Sequence, residues 1–180
     1  MEAVGSTVQI KLNSPEQLLN SFDPSPFRDR DLDDRAASYI IESAEELEDR
    51  KNLTLEIELP REQADRELSQ ELPSAIHNSF RYRARQTRNE LKALFRTGRV
   101  TLIIGLMVLA TCFAAINLLE QSHPGSAVVR MTEQGLFILG WVANWRPLEI
   151  FLYDWIPLRR RIILLDQLSR APVQIRTAQG

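Results

Sequence analysis

The stretch Val100–Leu119, VTLIIGLMVLATCFAAINLL, decides the architecture. Its 20 residues hold no charge. As a helix it would run about 30 Å, the thickness of a bilayer's hydrocarbon core. The alternative is a buried helix of a soluble protein, but such helices rarely run so far without a polar face. Its place in the chain does not suit a signal peptide, and MEAVGSTVQ at residues 1–9 has neither a basic nor an apolar run. The expectation is a first membrane span at 100–119.

Charge is distributed in blocks around that stretch. The whole chain has 22 Lys+Arg and 24 Asp+Glu in 180 residues, a net charge of −2. Residues 1–72 are net −10, residues 73–99 net +6, and residues 159–180 net +4. Seven basic residues precede the span: Arg81, Arg83, Arg85, Arg88, Lys92, Arg96 and Arg99.

A second span is expected at Leu136–Ile156, LFILGWVANWRPLEIFLYDWI, with Tyr153 and Trp155 placed to form an aromatic belt. The alternative is a half-span ending at Pro147 followed by an interfacial helix. Arg159, Arg160 and Arg161 follow the span, whereas the connection 120–135 has only Arg130. The positive-inside rule then places both termini in the cytoplasm. Arg96, Arg99, Arg159, Arg160 and Arg161 become candidate contacts for anionic lipids. Topology accounts for this charge without nucleic acid.

The cytoplasmic part reads as a small β-α-α-β domain at 1–72. Thr7–Leu12 and Leu53–Leu59 alternate apolar and polar residues, the pattern of strands packed on one face. Ser14-Pro15-Glu16 predicts the start of a short helix through Leu18, Leu19 and Phe22. A longer helix is expected from Leu32 to Arg50, with Ala36, Tyr39, Ile40, Ala44 and Leu47 as its apolar face. Two strands make a marginal sheet. Val173-Gln174-Ile175-Arg176 echoes Val8-Gln9-Ile10-Lys11 and is a candidate third strand, within the chain or added to a neighbour; the alternative is a disordered tail. Before it, Pro157–Arg170 has Leu158, Ile162, Leu165 and Leu168 at helical spacing. That pattern suits an amphipathic helix on the inner leaflet or one packed on the domain.

From Pro73 one helix is expected to run through the basic juxtamembrane segment 73–99 into the first span. Phe80, Ala84, Thr87, Leu91 and Leu94 step like a coiled-coil seam. Gly98, Thr101, Gly105, Val108, Cys112 and Ala115 continue the line with mostly small residues. Such a line lets helix backbones approach, against the second span or against another copy. In the second span, Arg146, Glu149 and Tyr153 fall on one helix face, and Asp154 lies towards Arg159–Arg161. Intramembrane charges need partners. Arg146 and Glu149 can pair, either as a clamp between helices or as part of an ion or solute pathway.

Other chemistry finds little footing. One cysteine excludes an internal disulfide framework, and two histidines with one cysteine exclude the usual Cys/His zinc site. His77 and His123 fall on opposite sides of the membrane in this topology. Cys112 reads as a packing residue. Asp29–Asp34 starts like a calcium loop but has Asp34 at the glycine position and Ile40 at the glutamate position. There is no Gly-rich phosphate loop, HExxH or GxSxG. No catalytic, cofactor or metal residue is expected.

The stretches LNSPEQLLNSFDPSPFRDRDLD (12–33) and WRPLEIFLYDWIPLRRR (145–161) are similar to an uncharacterised family of bacterial two-span inner-membrane proteins. The resemblance implies that location and carries no mechanism or residue roles. The expectation is an α+β membrane protein that serves as a non-enzymatic accessory or scaffold subunit, a homo-oligomer or part of a larger complex. The second expectation is a homo-oligomeric channel.

Overall fold

The computed structural model describes residues 7–25, 30–47, 52–63, 66–122, 124 and 126–177, without side chains for 66–70. The expected helix end at Arg50, and Asp29 and His123, lie outside the described residues. The chain folds as two compact units, Met1–Thr87 with Arg160–Gly180, and Arg88–Arg159.

The first unit is mixed α+β. Its sheet contains β1 (Thr7–Lys11), β2 (Thr54–Leu59) and β3 (Val173–Thr177), in the order β1-β2-β3 and all parallel. The echo in the sequence has a structural counterpart. Val8 and Val173 both flank Leu55, and Ile10 and Ile175 both flank Ile57. β3 thus belongs to the chain's own sheet. The alternation puts Val8, Ile10, Leu55, Ile57 and Leu59 into one core. The polar face is held by Lys11–Glu58 at 3.1 Å and Arg176–Glu56 at 2.7 Å. Both pairs keep an exposed cation, so each contributes at most about 1 kcal/mol.

Helix α1 (Asp34–Glu46) joins β1 to β2. Asp33 caps it, its carboxylate accepting from the backbone of Arg35 and Ala36. It buries Ala37, Ile40 and Ala44, while Tyr39 is half exposed. The apolar face is therefore rotated from the expected one, towards Ala37 and away from Tyr39.

The short helix expected through Phe22 is a correction. Pro15–Leu18 makes one 3-10 turn, Leu19 forms an antiparallel bridge with Leu32, and Phe22 is exposed. The hydrogen bonds from Asn20 to Asp31 O and from Asp33 to Leu18 O draw the chain away from a helical path.

Asp23 ties Ser25 to Asp31 ahead of α1. Its carboxylate accepts from Ser25 N at 3.0 Å and from Asp31 N at 2.9 Å. The Ser25 side chain and these amides hold its carboxyl down at about 2. A depressed carboxyl stabilises the fold above its ordinary value of 3.8, and that contribution is lost as pH falls through about 2. Asp23→Ala is expected to speed amide exchange at Ser25 and Asp31 at pH 7. An NMR titration of Asp23 with a midpoint near 4 would contradict this.

Helix α2 (Arg66–Ser122) is continuous through the basic segment 73–99 and the apolar stretch. Among the described residues it is the one helix long and apolar enough to cross a membrane. Its early turns supply Leu72, Ala75, Ile76, Phe80 and Ala84 to the core of the first unit. Helix α5 (Trp155–Leu168) adds Leu164, Leu165 and Leu168 to that core. His77 Nε2 donates to Ala171 O at 2.8 Å just beyond it. Of the two settings open to the C-terminal amphipathic helix, these residues pack on the domain.

Candidate functional site

The second unit is built around a line of close approaches between α2 and the helical segments that follow it. These are α3 (Ala127–Ala143), α4 (Trp145–Glu149) and a π turn (Ile150–Asp154) leading into α5. Phe95 stacks on Phe151 with ring centroids 6.1 Å apart, and Phe113 meets Phe137 edge-on at 6.4 Å. Between these contacts the glycines carry the approach. A Cβ on Gly98 would lie 2.8 Å from Ile150 Cγ2. One on Gly105 would lie 2.7 Å from Asn144 Oδ1 and 2.9 Å from the Ala143 carbonyl oxygen. One on Gly140 would lie 2.6 Å from Leu109 Cδ1 and 3.7 Å from Cys112 Cβ. The order of these contacts makes the pairing antiparallel. Thr101 is partly buried and turns its hydroxyl back to the carbonyls of Thr97 and Gly98, both at 3.1 Å. Val108 and Ala115 are half-buried, and Cys112 is buried.

Asn144 was not singled out in the sequence. It is buried, and its Nδ2 donates to Gly105 O at 3.1 Å and to Gly140 O at 2.9 Å. One amide therefore ties two glycines on two helices. The signal was available: an uncharged polar residue within an apolar run needs a partner when buried. Asn144 also interrupts the helix, and Pro147 has no N–H to return to the Ala143 carbonyl. That carbonyl is the one that lies against Gly105. The segment 136–156 is thus not one regular helix, as expected for a second span. It comprises the end of α3, α4, a π turn and the start of α5.

The pairing also shifts the levels. Ile150 stands opposite Gly98, next to the basic end of the apolar stretch, and Asn144 stands opposite Gly105. The residues opposite 100–119 are therefore roughly 131–149. Arg146 falls between the levels of Gly98 and Gly105, well short of the middle of the stretch.

Arg146 is the centre of an ion-pair triad. Its Nη1 lies 3.1 Å from Glu149 Oε2 and 3.1 Å from Asp154 Oδ2. Trp145 Nε1 donates to Glu149 Oε1 at 3.0 Å. In an uninterrupted α-helix, Asp154 would point about 80° away from Arg146. The π turn, with its wider i→i+5 ring, brings it back onto the Arg146 face. Asp154 therefore pairs with Arg146, where the sequence directed it towards Arg159–Arg161. Tyr153 is exposed and takes no described part in the triad. Arg146 is 61% exposed, and among the described residues its ion-pair partners lie on α4 and the π turn, while Asn144 and the glycines make the contacts with α2. Arg96, Arg99, Arg159, Arg160 and Arg161 are exposed, and the Arg159 guanidinium lies 5.6 Å over the Trp155 ring.

No group of His, Cys, Asp or Glu suited to a metal occurs among the described residues. No family model, curated protein or solved structure matches this chain.

Proposed function

We propose that this chain is a non-enzymatic accessory or scaffold subunit of the bacterial inner membrane, holding a cytoplasmic domain against the bilayer on a two-span anchor. The domain is presented to a protein partner or to other copies of the chain. The observation that carries this reading is the composition of the sheet. β1 and β2 come before the apolar stretch and β3 comes after it, yet all three form one sheet. A chain that leaves through α2 must return before residue 173, which calls for an even number of crossings. The basic residues at 81–99 and 159–161 favour the cytoplasmic side for the domain.

The channel reading depended on charges deep within a span. Arg146 lies near the basic end of the stretch, where a long side chain can reach the interface, and its charge is met by Glu149 and Asp154. In liposomes the purified chain is expected to give no ion flux above empty vesicles, and Glu149→Gln is expected to change nothing. A conductance lost on Glu149→Gln would favour the channel.

A further inference from the structure

The first unit contains a cavity of about 470 Å³ lined by Arg30, Asp31, Asn78, Ser79, Tyr82, Arg81 and Arg85. Five of these residues come from the basic segment 73–99 and two, Arg30 and Asp31, from the acidic segment 1–72, so three guanidinium groups meet here with one acid.

That acid is already engaged. Asp31 Oδ1 accepts the Ser79 hydroxyl and the Leu32 amide, which fixes the carboxylate as part of the wall. Ser79 is itself buried, so this wall is built. The arginines are less fully matched. Arg81 is tied to the neutral Asn78 amide at 3.1 Å. Arg30 exerts a weak pull on Glu16 and Asp23, but its Nε is buried without a hydrogen-bond partner among the described residues. Tyr82 stands largely exposed on the wall between Arg81 and Arg85.

We propose that Arg30, Arg81 and Arg85 form a binding site for a phosphate-bearing anion, with the Tyr82 ring against the rest of the ligand. Guanidinium groups bind phosphate through paired, charge-assisted hydrogen bonds. The cavity has the size of a small-molecule site rather than of a protein interface. An exposed ring beside arginines suits a flat group stacked on it.

The test is equilibrium dialysis of the full chain in phosphatidylcholine nanodiscs, with inorganic phosphate and AMP as probes. Saturable binding of both is expected, weakening as salt rises. Arg81→Gln and Arg85→Gln each weaken it at least about tenfold, because a charge-assisted bond contributes about 1.5–3 kcal/mol. Both side chains are exposed on a helix, so these variants keep the fold. Tyr82→Ala weakens AMP more than phosphate, and Lys92→Gln, outside the cavity, changes neither. A second arm uses nanodiscs containing phosphatidylglycerol. Lipid retention that is lost in Arg81→Gln, with no response to AMP, keeps the phosphate site and assigns its source to a headgroup. No saturable binding of any probe, or binding unchanged in both arginine variants, overturns the proposal.

Discussion

Gly105→Ala is expected to separate the paired helices of the second unit. The added Cβ would sit 2.7 Å from Asn144 Oδ1 and 2.9 Å from the Ala143 carbonyl oxygen. The carbonyl is backbone and cannot swing away, so the end of α3 must move. Forcing a methyl into such a contact costs about 1–3 kcal/mol. The displacement also strains the two hydrogen bonds of Asn144, and inter-helix bonds of this kind contribute about 0.6–1.7 kcal/mol in membranes. Gly135→Ala is the control, because nothing lies within 4 Å of its added Cβ. Cys112 supplies the readout: it is 5% exposed and becomes open to a thiol reagent when the helices part. Alkylation should be fast in Gly105→Ala and slow in the wild type and Gly135→Ala. Asn144→Ala should rescue Gly105→Ala only in part, since the Ala143 carbonyl remains in place. Equal alkylation rates in all variants would contradict the pairing.

Leu168→Ala is expected to loosen the sheet at the other end of the sequence. Leu168 is fully buried in the core that also holds Leu55 and Ile57. Truncating such a leucine costs about 2–5 kcal/mol, the transfer free energy plus the cavity left behind. The loss should appear as faster amide exchange at Leu55 and Ile57 in β2. Ile163→Ala is the comparison: Ile163 is half exposed, and the change should stay within about 0.5 kcal/mol. A helix lying on the leaflet would give a different result, with β2 unmoved by Leu168→Ala.

The parts of this fold that were legible in the sequence are those set by period and charge. Strict alternation identified β1 and β2, and the repeated Val-Gln-Ile-basic pattern pointed to β3. The parts that were not legible depend on contacts between distant residues. The 3-10 turn at Pro15–Leu18 stops short because Leu19 is claimed by Leu32, a partner that local propensity cannot see. Tyr39 matched a helical apolar face, but the core at that position accepts Ala37. In the second unit, the glycine line was visible as spacing, while Asn144 was marked only as a polar residue in an apolar run, with nothing in the sequence to name Gly105 and Gly140 as its partners. The π turn at Ile150–Asp154 has no periodic signature, so a regular helical wheel placed Tyr153 beside Arg146 and Asp154 elsewhere.

The proposed topology puts the strands on either side of the apolar stretch on one side of a membrane. Cysteine labelling in bacterial cells tests it most directly, with an impermeant maleimide and Cys112 replaced by alanine. Gln9→Cys, Gln174→Cys and Pro124→Cys place single thiols on exposed residues of β1, β3 and the connection after α2. The thiol at 124 is expected to react in intact spheroplasts, while those at 9 and 174 react only after permeabilisation. Labelling of 9 and 174 from opposite sides would contradict it.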